Sequence, residues 1–266
     1  MVDLLYRELT GRVLGAYYAV YNGTSRTYPE YIYEYGLTRL LRRDGITHSR
    51  QPAYEIIYKD RVVGRQQLDV LLLDQPVVIE CKVAPRLTPI HKAQLFSYMR
   101  TVEAQVGLLL NFGAPEPQFE RLYFDPERAF QEDMCEQRSA QLLDGLLHPE
   151  LAGDILGAAI EVHRTLGPGF VHRVYANACY QEYRLRGIGV EPRKEYQVIF
   201  QGESIGSLKL AHFYIEDKVM HFPVAIQDVD DLSVNNLKDW MRHQRIRLGI
   251  LTNFHDTAIR PVFIRA

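Results

Sequence analysis

The chain has 266 residues, of which 47% are hydrophobic and 24% are charged, and its formal net charge is −2. These values fit a folded protein of two domains, and the chain lacks the strongly basic balance that many nucleic-acid-binding proteins show. The longest apolar runs fall far short of the roughly 20 residues that a membrane span needs, and residues 1–3 do not open a signal peptide. We therefore expect a cytoplasmic protein without a membrane partner.

The first half begins with two helices and continues with strands. Apolar residues recur at helical intervals over residues 3–21, and a second helix runs from Pro29 to Arg43. Residues 53–58 alternate as a strand does, and residues 68–73 and 77–83 are almost entirely apolar, as buried strands are. The first half therefore supplies both layers that a mixed α and β fold needs.

A third helix and two more strands complete this half. Thr88 is a good N-cap, and Pro89 at the first helical position opens a helix that runs to about Glu103. Residues 106–112 are a continuous apolar strand, and a short strand lies near residues 122–124. The predicted order α, α, β, β, β, α, β favours a mixed central sheet flanked by helices, of class α/β or α+β.

The chain repeats itself at a fixed distance. Residues 106–112 (VGLLLNF) recur as residues 248–254 (LGILTNF), which places Asn253 142 residues after Asn111. The same shift relates Tyr33 to Tyr175, Gly64 to Gly206 and Met99 to Met241. We interpret the chain as a tandem duplication of one domain. The predicted boundaries are residues 1–126 and 150–266, with a partly helical linker over 127–149.

Two acids and a lysine converge in the first copy. Asp69 lies in an apolar strand, and Glu80 and Lys82 lie two residues apart in the next strand, on one side of the sheet. The turn at residues 74–76 brings Asp69 close to facing Glu80. Buried carboxylates must be paired or bound to a cation, so the pattern predicts a Mg²⁺ or Mn²⁺ site. The alternative is a structural ion pair between Lys82 and one of the acids.

Polar side chains on two helices extend this group. Glu30 and Glu34 share one face of the second helix, and we favour Glu30 as the functional acid of the two. A solvated helix face is the alternative for both. Gln94 and Tyr98 lie one turn apart on the third helix, on the face of His91, which we interpret as a surface residue.

These motifs resemble those of a known superfamily. Residues 80–82 (ECK) with Asp69 upstream resemble the PD-(D/E)XK nucleases, and residues 94–98 (QLFSY) are similar to the Q-x-x-x-Y element of their RecB-like branch. Residues 27–33 resemble the signature helix of the GxxExxY protein family, with Thr27 in place of the leading glycine. The resemblance covers nearly all of each half, and it implies two tandem restriction-endonuclease-like domains.

The resemblance also implies roles for single residues. Asp69, Glu80 and the backbone carbonyl of Cys81 would hold the metal ion. Lys82 would position or help to deprotonate the attacking water and offset charge in the transition state. Further roles fall to Glu30, as an added acid, and to Gln94 and Tyr98, which would orient the metal ligands or the nucleic-acid backbone.

The second copy lacks these residues but keeps the packing residues. The shift places Phe222 at the position of Glu80 and Val224 at that of Lys82, and neither side chain can hold a cation. Asp69 corresponds to Ala211 or His212, depending on where a one-residue slip falls. His172 replaces Glu30 and Asn236 replaces Gln94. The lost positions therefore form one functional unit, separable from the fold.

The leading hypothesis is a metal-dependent nuclease, with DNA more probable than RNA as its substrate and one active site in the first copy. The second copy would be a catalytically inactive scaffold or substrate-binding domain. The two copies would form an intramolecular pseudo-dimer, and the chain could also form homo-oligomers. The alternative hypothesis is a non-catalytic module that binds nucleic acid or protein.

Overall fold

The computed structural model describes residues 5–124, 143–226, 234–255 and 258–266. Its internal contacts divide the chain into two compact units. Unit 1 comprises Met1–Glu55 and Arg65–Gln131, and unit 2 comprises Ile56–Gly64 and Glu132–Ala266. A short segment of the first repeat therefore groups with the second unit. Most of the predicted linker, and Cys135 within it, lies outside the described residues.

The first half forms three helices and seven strands among its described residues. The helices are α1 (Arg7–Gly23), α2 (Glu30–Arg43) and α3 (Pro89–Thr101). The strands are β1 (His48–Arg50), β2 (Ala53–Tyr58), β3 (Arg61–Gln67), β4 (Val70–Leu72), β5 (Val77–Lys82), β6 (Val106–Asn111) and β7 (Gln118–Tyr123). Five of them form one sheet in the order β1-β4-β5-β6-β7, in which β5 and β6 are parallel, while β2 and β3 form a separate hairpin.

Most predicted elements are present with shifted ends. Helix α2 covers the predicted residues almost completely, and α3 begins at Pro89 with Thr88 as its N-cap. Strands β1 and β3 were not predicted. Strand β1 has only three residues, and β3 (RVVGRQQ) has no apolar alternation that would distinguish it from a loop.

Helices cover both faces of the sheet in unit 1. The residues of α1 and α2 pack on the face that carries Ile79, Cys81 and Leu110. Helix α3 packs on the other face, where Leu95 and Met99 lie against Gly107. Because neighbouring residues of a strand point to opposite faces, Glu80 and Lys82 project toward α3. This side of the sheet holds the candidate site.

The second half repeats this architecture within unit 2. Its described helices are α4 (Pro149–Leu166), α5 (His172–Leu185) and α6 (Val234–His243). Its strands are β8 (Val190–Arg193), β9 (Tyr196–Phe200), β10 (Glu203–Leu208), β11 (His212–Ile215), β12 (Val219–Val224), β13 (Leu248–Asn253) and β14 (Pro261–Arg265). The sheet order β8-β11-β12-β13-β14 matches that of unit 1, with β9 and β10 as the hairpin. The predicted fold class and tandem duplication are confirmed.

Packing explains why the repeated motif is kept. A Cβ atom added at Gly107 would lie 2.6 Å from the sulfur of Met99, and one added at Gly249 would lie 2.6 Å from the sulfur of Met241. The two strands need glycine because a methionine of the covering helix lies directly on the backbone. The asparagine that ends each strand bonds the adjacent chain segment: Asn111 Nδ2 donates to the Ala84 carbonyl at 2.9 Å.

The tyrosine of each signature helix is also structural. Tyr33 stacks on Phe112 with ring centroids 4.7 Å apart, and its hydroxyl donates to the Ser25 carbonyl at 2.5 Å. Tyr175 stacks on Phe254 at 4.5 Å in the second copy. A residue used in the same way by both copies serves the fold. No described helix is long and apolar enough to cross a membrane.

Candidate active site

Strands β4 and β5 place the two predicted acids side by side. Val70 pairs with Ile79 in the antiparallel register, so Asp69, one residue earlier, stands opposite Glu80. The carboxylate of Asp69 accepts a hydrogen bond from the backbone N–H of Cys81 at 2.7 Å. The hairpin therefore holds Asp69 against the strand that carries Glu80.

Glu80 and Lys82 form a tight ion pair beside Asp69. The Nζ atom of Lys82 lies 2.6 Å from Oε1 of Glu80, and the side chain of Glu80 is only 3% exposed. The second oxygen of Glu80 is buried and has no hydrogen-bond partner among the described residues. A buried carboxylate oxygen without a donor is unfavourable, which makes it a candidate cation ligand.

The electrostatics of the site reflect this crowding of acids. Burial, followed by the charge of Glu80, raises the pKa of Asp69 to about 8. Burial also raises the pKa of Glu80, although the ammonium of Lys82 opposes the change. Burial lowers the pKa of Lys82, but the charge and hydrogen bond of Glu80 outweigh it and raise the pKa. Lys82 is therefore an ammonium at neutral pH.

Helix α2 contributes two acids from one face. Oε1 of Glu30 accepts a hydrogen bond from the backbone N–H of Val83 at 3.2 Å, at the end of β5. Glu34 is 3% exposed and accepts a hydrogen bond from Gln51 Nε2 at 2.9 Å. Arg50 lies 3.5 Å from the same carboxylate. The interpretation of Glu34 as part of a solvated helix face is wrong, because β1 and the turn after it cover this carboxylate.

Helix α3 brings the predicted glutamine and tyrosine together. Gln94 Nε2 donates a short hydrogen bond to the hydroxyl of Tyr98. Gln66, at the end of β3, donates to the same hydroxyl at 3.0 Å. Sequence patterns did not point to Gln66, because its strand was not predicted. His91 accepts a hydrogen bond from the N–H of Thr88 and completes the cap of α3, so its role is local.

The donor set at this site suits a hard divalent cation. Two carboxylates meet at the hairpin, one buried oxygen lacks a donor, and oxygen ligands are those that Mg²⁺ and Mn²⁺ prefer. Among the described residues, no group of three or more His, Cys, Asp or Glu side chains forms a ready-made metal site.

The same place in unit 2 has neither the carboxylates nor the lysine among its described residues. Strand register resolves the predicted slip: Phe213 pairs with His221 as Val70 pairs with Ile79, so His212 takes the position of Asp69. The extra residue of the second copy lies between Gly206, which still matches Gly64 at the shift of 142, and His212.

Aromatic packing fills that place. His212 stacks on Phe222 with ring centroids 5.6 Å apart, and Val224 is buried beside them in the same core. Both strands thus carry ring or aliphatic side chains where unit 1 carries carboxylates and an ammonium.

Comparison with known proteins identifies a family for this chain. The sequence profile of the PD-(D/E)XK nuclease superfamily matches residues 7–122 and again residues 149–266. A solved structure titled "Crystal structure of SSO0001" aligns at 20% identity and a TM-score of 0.29, over 36% of this chain. The alignment spans about half (51%) of that chain. No curated protein matches the sequence.

Proposed function

Because the chain belongs to the PD-(D/E)XK nuclease superfamily, we propose that it is a divalent-metal-dependent phosphodiester hydrolase with its active site in the first copy. One observation carries this proposal. Asp69, Glu80 and Lys82 come together on the face of β4 and β5 that lies next to α3. The described residues at the corresponding place in unit 2 form no such group.

Asp69, Glu80 and the backbone carbonyl of Cys81 would hold Mg²⁺ or Mn²⁺ in this proposal. When bound, such an ion polarises a phosphoryl oxygen and lowers the pKa of a coordinated water. The protein supplies the fixed carboxylates. The β4–β5 hairpin holds Asp69 through the N–H of Cys81, so the acids are in place before substrate arrives.

Lys82 supplies a positive charge rather than a base. Its pKa is raised, so it carries a proton at neutral pH and can donate a hydrogen bond to a non-bridging phosphoryl oxygen. The side chain is only 13% exposed, and such burial strengthens the electrostatic attraction between its charge and a phosphoryl oxygen. This favours the charge-offsetting role over proton abstraction from water.

The remaining polar residues position these groups. Glu30 fixes the end of β5 through the N–H of Val83 and adds negative charge near Lys82. Tyr98 is held by Gln94 and Gln66, so its hydroxyl has a defined position beside the site. In our proposal this pair orients the metal ligands or the nucleic-acid backbone.

We assign unit 2 a scaffolding or substrate-binding role. The stack of His212 on Phe222 replaces the carboxylates, and a phenylalanine cannot ligate a cation. We infer a nucleic-acid substrate from the superfamily, with DNA as the first choice to test.

Cleavage assays test the function directly. The full chain is incubated with single-stranded, double-stranded and branched DNA, and with RNA, in the presence of Mn²⁺ and then of EDTA. Lys82→Ala should reduce cleavage by at least about a hundredfold, as removal of a charge-stabilising donor does. The matched control is Lys218→Ala, an exposed lysine of unit 2. Absence of cleavage on every substrate, or full activity of Lys82→Ala, overturns the proposal.

A non-catalytic binding module is the second candidate, favoured by the absence of a ready-made group of three metal-ligating side chains among the described residues. It predicts that Mn²⁺ does not bind at Asp69 and Glu80. It also predicts that Glu80→Ala leaves nucleic-acid binding unchanged. Calorimetric titration of Mn²⁺ into the wild type and Glu80→Ala separates the two candidates, because only the enzyme needs the site.

A further inference from the structure

The hairpin of the first repeat is bonded to α5 within unit 2. The hydroxyl of Tyr58 donates to Glu182 Oε2 at 2.7 Å, and Lys59 Nζ donates to the same oxygen at 2.6 Å. On the other strand, Asn177 Nδ2 donates to the carbonyl of Val63 at 2.8 Å. These are specific contacts between a hairpin tip and one face of a helix.

A glycine makes this approach close. A Cβ atom added at Gly64 would lie 2.7 Å from Cγ2 of Val174 on α5, nearer than real Cβ atoms come to other atoms. Position 64 therefore needs glycine because the helix packs on the backbone there. Tyr58 is fully buried in the contact.

On the equivalent hairpin of the second repeat, apolar side chains are exposed. Phe200 of β9 corresponds to Tyr58 and is 59% exposed, and Ile205 and Leu208 of β10 are exposed as well. Gly206 corresponds to Gly64 at the shift of 142, beside the β10 bulge, and no atom would lie within 4 Å of a Cβ added there. The second repeat thus keeps the glycine and exposed apolar side chains on this hairpin, while Tyr196 on β9 packs against α6.

The equivalent helix face is exposed too. Helices α2 and α5 correspond residue for residue, so Ile32 matches Val174 and Tyr35 matches Asn177. Val174 is buried, whereas Tyr35 is 61% exposed, and Tyr31 and Ile32 are exposed beside it. Neighbouring exposed apolar side chains of this kind mark interaction surfaces.

The residue types on the two exposed surfaces suit each other. The contact in unit 2 joins Tyr58 to the charged Glu182. At the equivalent positions the second hairpin carries Phe200 and α2 carries Leu40. The polar pair of the first contact is thus replaced by an apolar pair at the equivalent positions. Each pair is matched in polarity, so neither contact would bury a polar group against an apolar one.

We propose that the β9–β10 hairpin of one molecule docks on the α2 face (Tyr31, Ile32 and Tyr35) of a second copy of this chain. The contact is reciprocal, so each dimer contains it twice. It reproduces between molecules the hairpin-on-helix packing seen inside unit 2. The proposal is independent of catalysis, because none of these side chains belongs to the candidate active site.

The molar mass in solution tests the proposal. Sedimentation of the full chain over a wide concentration range should show a species of twice the 30.8 kDa chain mass. Gly206→Val should give the monomer, because the added side chain meets the docked helix as a Cβ at Gly64 would meet Val174. The variant should fold normally, since the space around Gly206 is open in the single chain. Tyr35→Ser should also give the monomer, and Leu73→Ser, an exposed apolar residue elsewhere, should not.

Mixing the two monomeric variants gives the sharpest result. Gly206→Val keeps an intact α2 face and Tyr35→Ser keeps an intact hairpin, so the mixture should form a heterodimer through one contact. A monomeric wild type at all concentrations overturns the proposal, and so does a dimer that neither substitution affects. A wild type that stays monomeric, and whose nucleic-acid binding is lost in Tyr35→Ser, would assign the α2 face to nucleic acid instead.

Discussion

Replacing Asp69 with a neutral residue tests whether its buried position beside Glu80 raises its pKa in the metal-free protein. Burial and the charge of Glu80 raise the pKa of Asp69 from an ordinary value near 3.8 to about 8. Between these values the folded protein holds a proton that the unfolded chain releases. Stability falls with pH wherever the folded state binds more protons. The contribution of Asp69 is therefore fully present below about pH 4 and is lost as pH rises through 8.

The size of the effect follows from these values. Each pH unit inside the window changes the free energy of unfolding by about 1.4 kcal/mol, so the wild type loses at most about 6 kcal/mol through this group. Asp69→Asn keeps an oxygen that can accept the hydrogen bond of the Cys81 N–H, but it carries no charge. We expect the variant to gain stability relative to the wild type as pH rises, by about 2–3 kcal/mol between pH 5 and 7.

Urea unfolding in EDTA at about pH 5, 7 and 9, followed by circular dichroism, measures this difference. Asp74→Asn is the matched control, because Asp74 lies in the exposed turn of the same hairpin. Addition of Mn²⁺ at high pH should stabilise the wild type and leave Asp69→Asn unchanged. An equal difference between wild type and Asp69→Asn at every pH would falsify this reasoning.

Three further predictions concern the fold and the candidate site. Gly107→Ala should destabilise the protein by about 1–3 kcal/mol in urea unfolding, because the added Cβ would lie 2.6 Å from the sulfur of Met99. The control is Gly15→Ala in α1, which has open space around it and should be neutral or slightly stabilising. Asn111→Ala should cost about 2–4 kcal/mol in the same assay, since it leaves the backbone groups of Ala84 without their partners; an unchanged midpoint contradicts this. Tyr98→Phe should lower kcat by about tenfold while leaving the melting temperature nearly unchanged. A clear fall in the melting temperature together with kcat would indicate a structural role.

The sequence was most informative where the signal is local or repeated. Helix α2 follows from apolar spacing, and α3 from Thr88 and Pro89, because capping and periodicity act within a few residues. The duplication acts as an internal alignment and separates residues that serve the fold from those that do not. Asp69, Glu80 and Lys82 were predicted from charged residues in apolar strands, the second copy set them apart from the packing residues, and strand register brings them together.

Other features depended on partners that lie far away in the chain. Glu34 is buried because Gln51 and Arg50 cover it, and Gln66 bonds Tyr98 from a strand without an apolar pattern. No local pattern marks such residues, since their burial is set by tertiary contacts.

One segment of the first repeat groups with the second unit in the folded chain. Residues 56–64 belong to the first repeat by sequence, yet their contacts are with α5, through Tyr58, Lys59 and Val63. Sequence alone determined that the chain is a tandem duplication of one domain, with the acids kept only in the first copy, because spacing and residue type can be read from the chain itself. Only the tertiary structure decided which side chains cover those acids and which helix receives the hairpin, because hydrogen bonds and burial join residues that are separated in the chain, by 17 positions for Gln51 and Glu34 and by 124 for Tyr58 and Glu182.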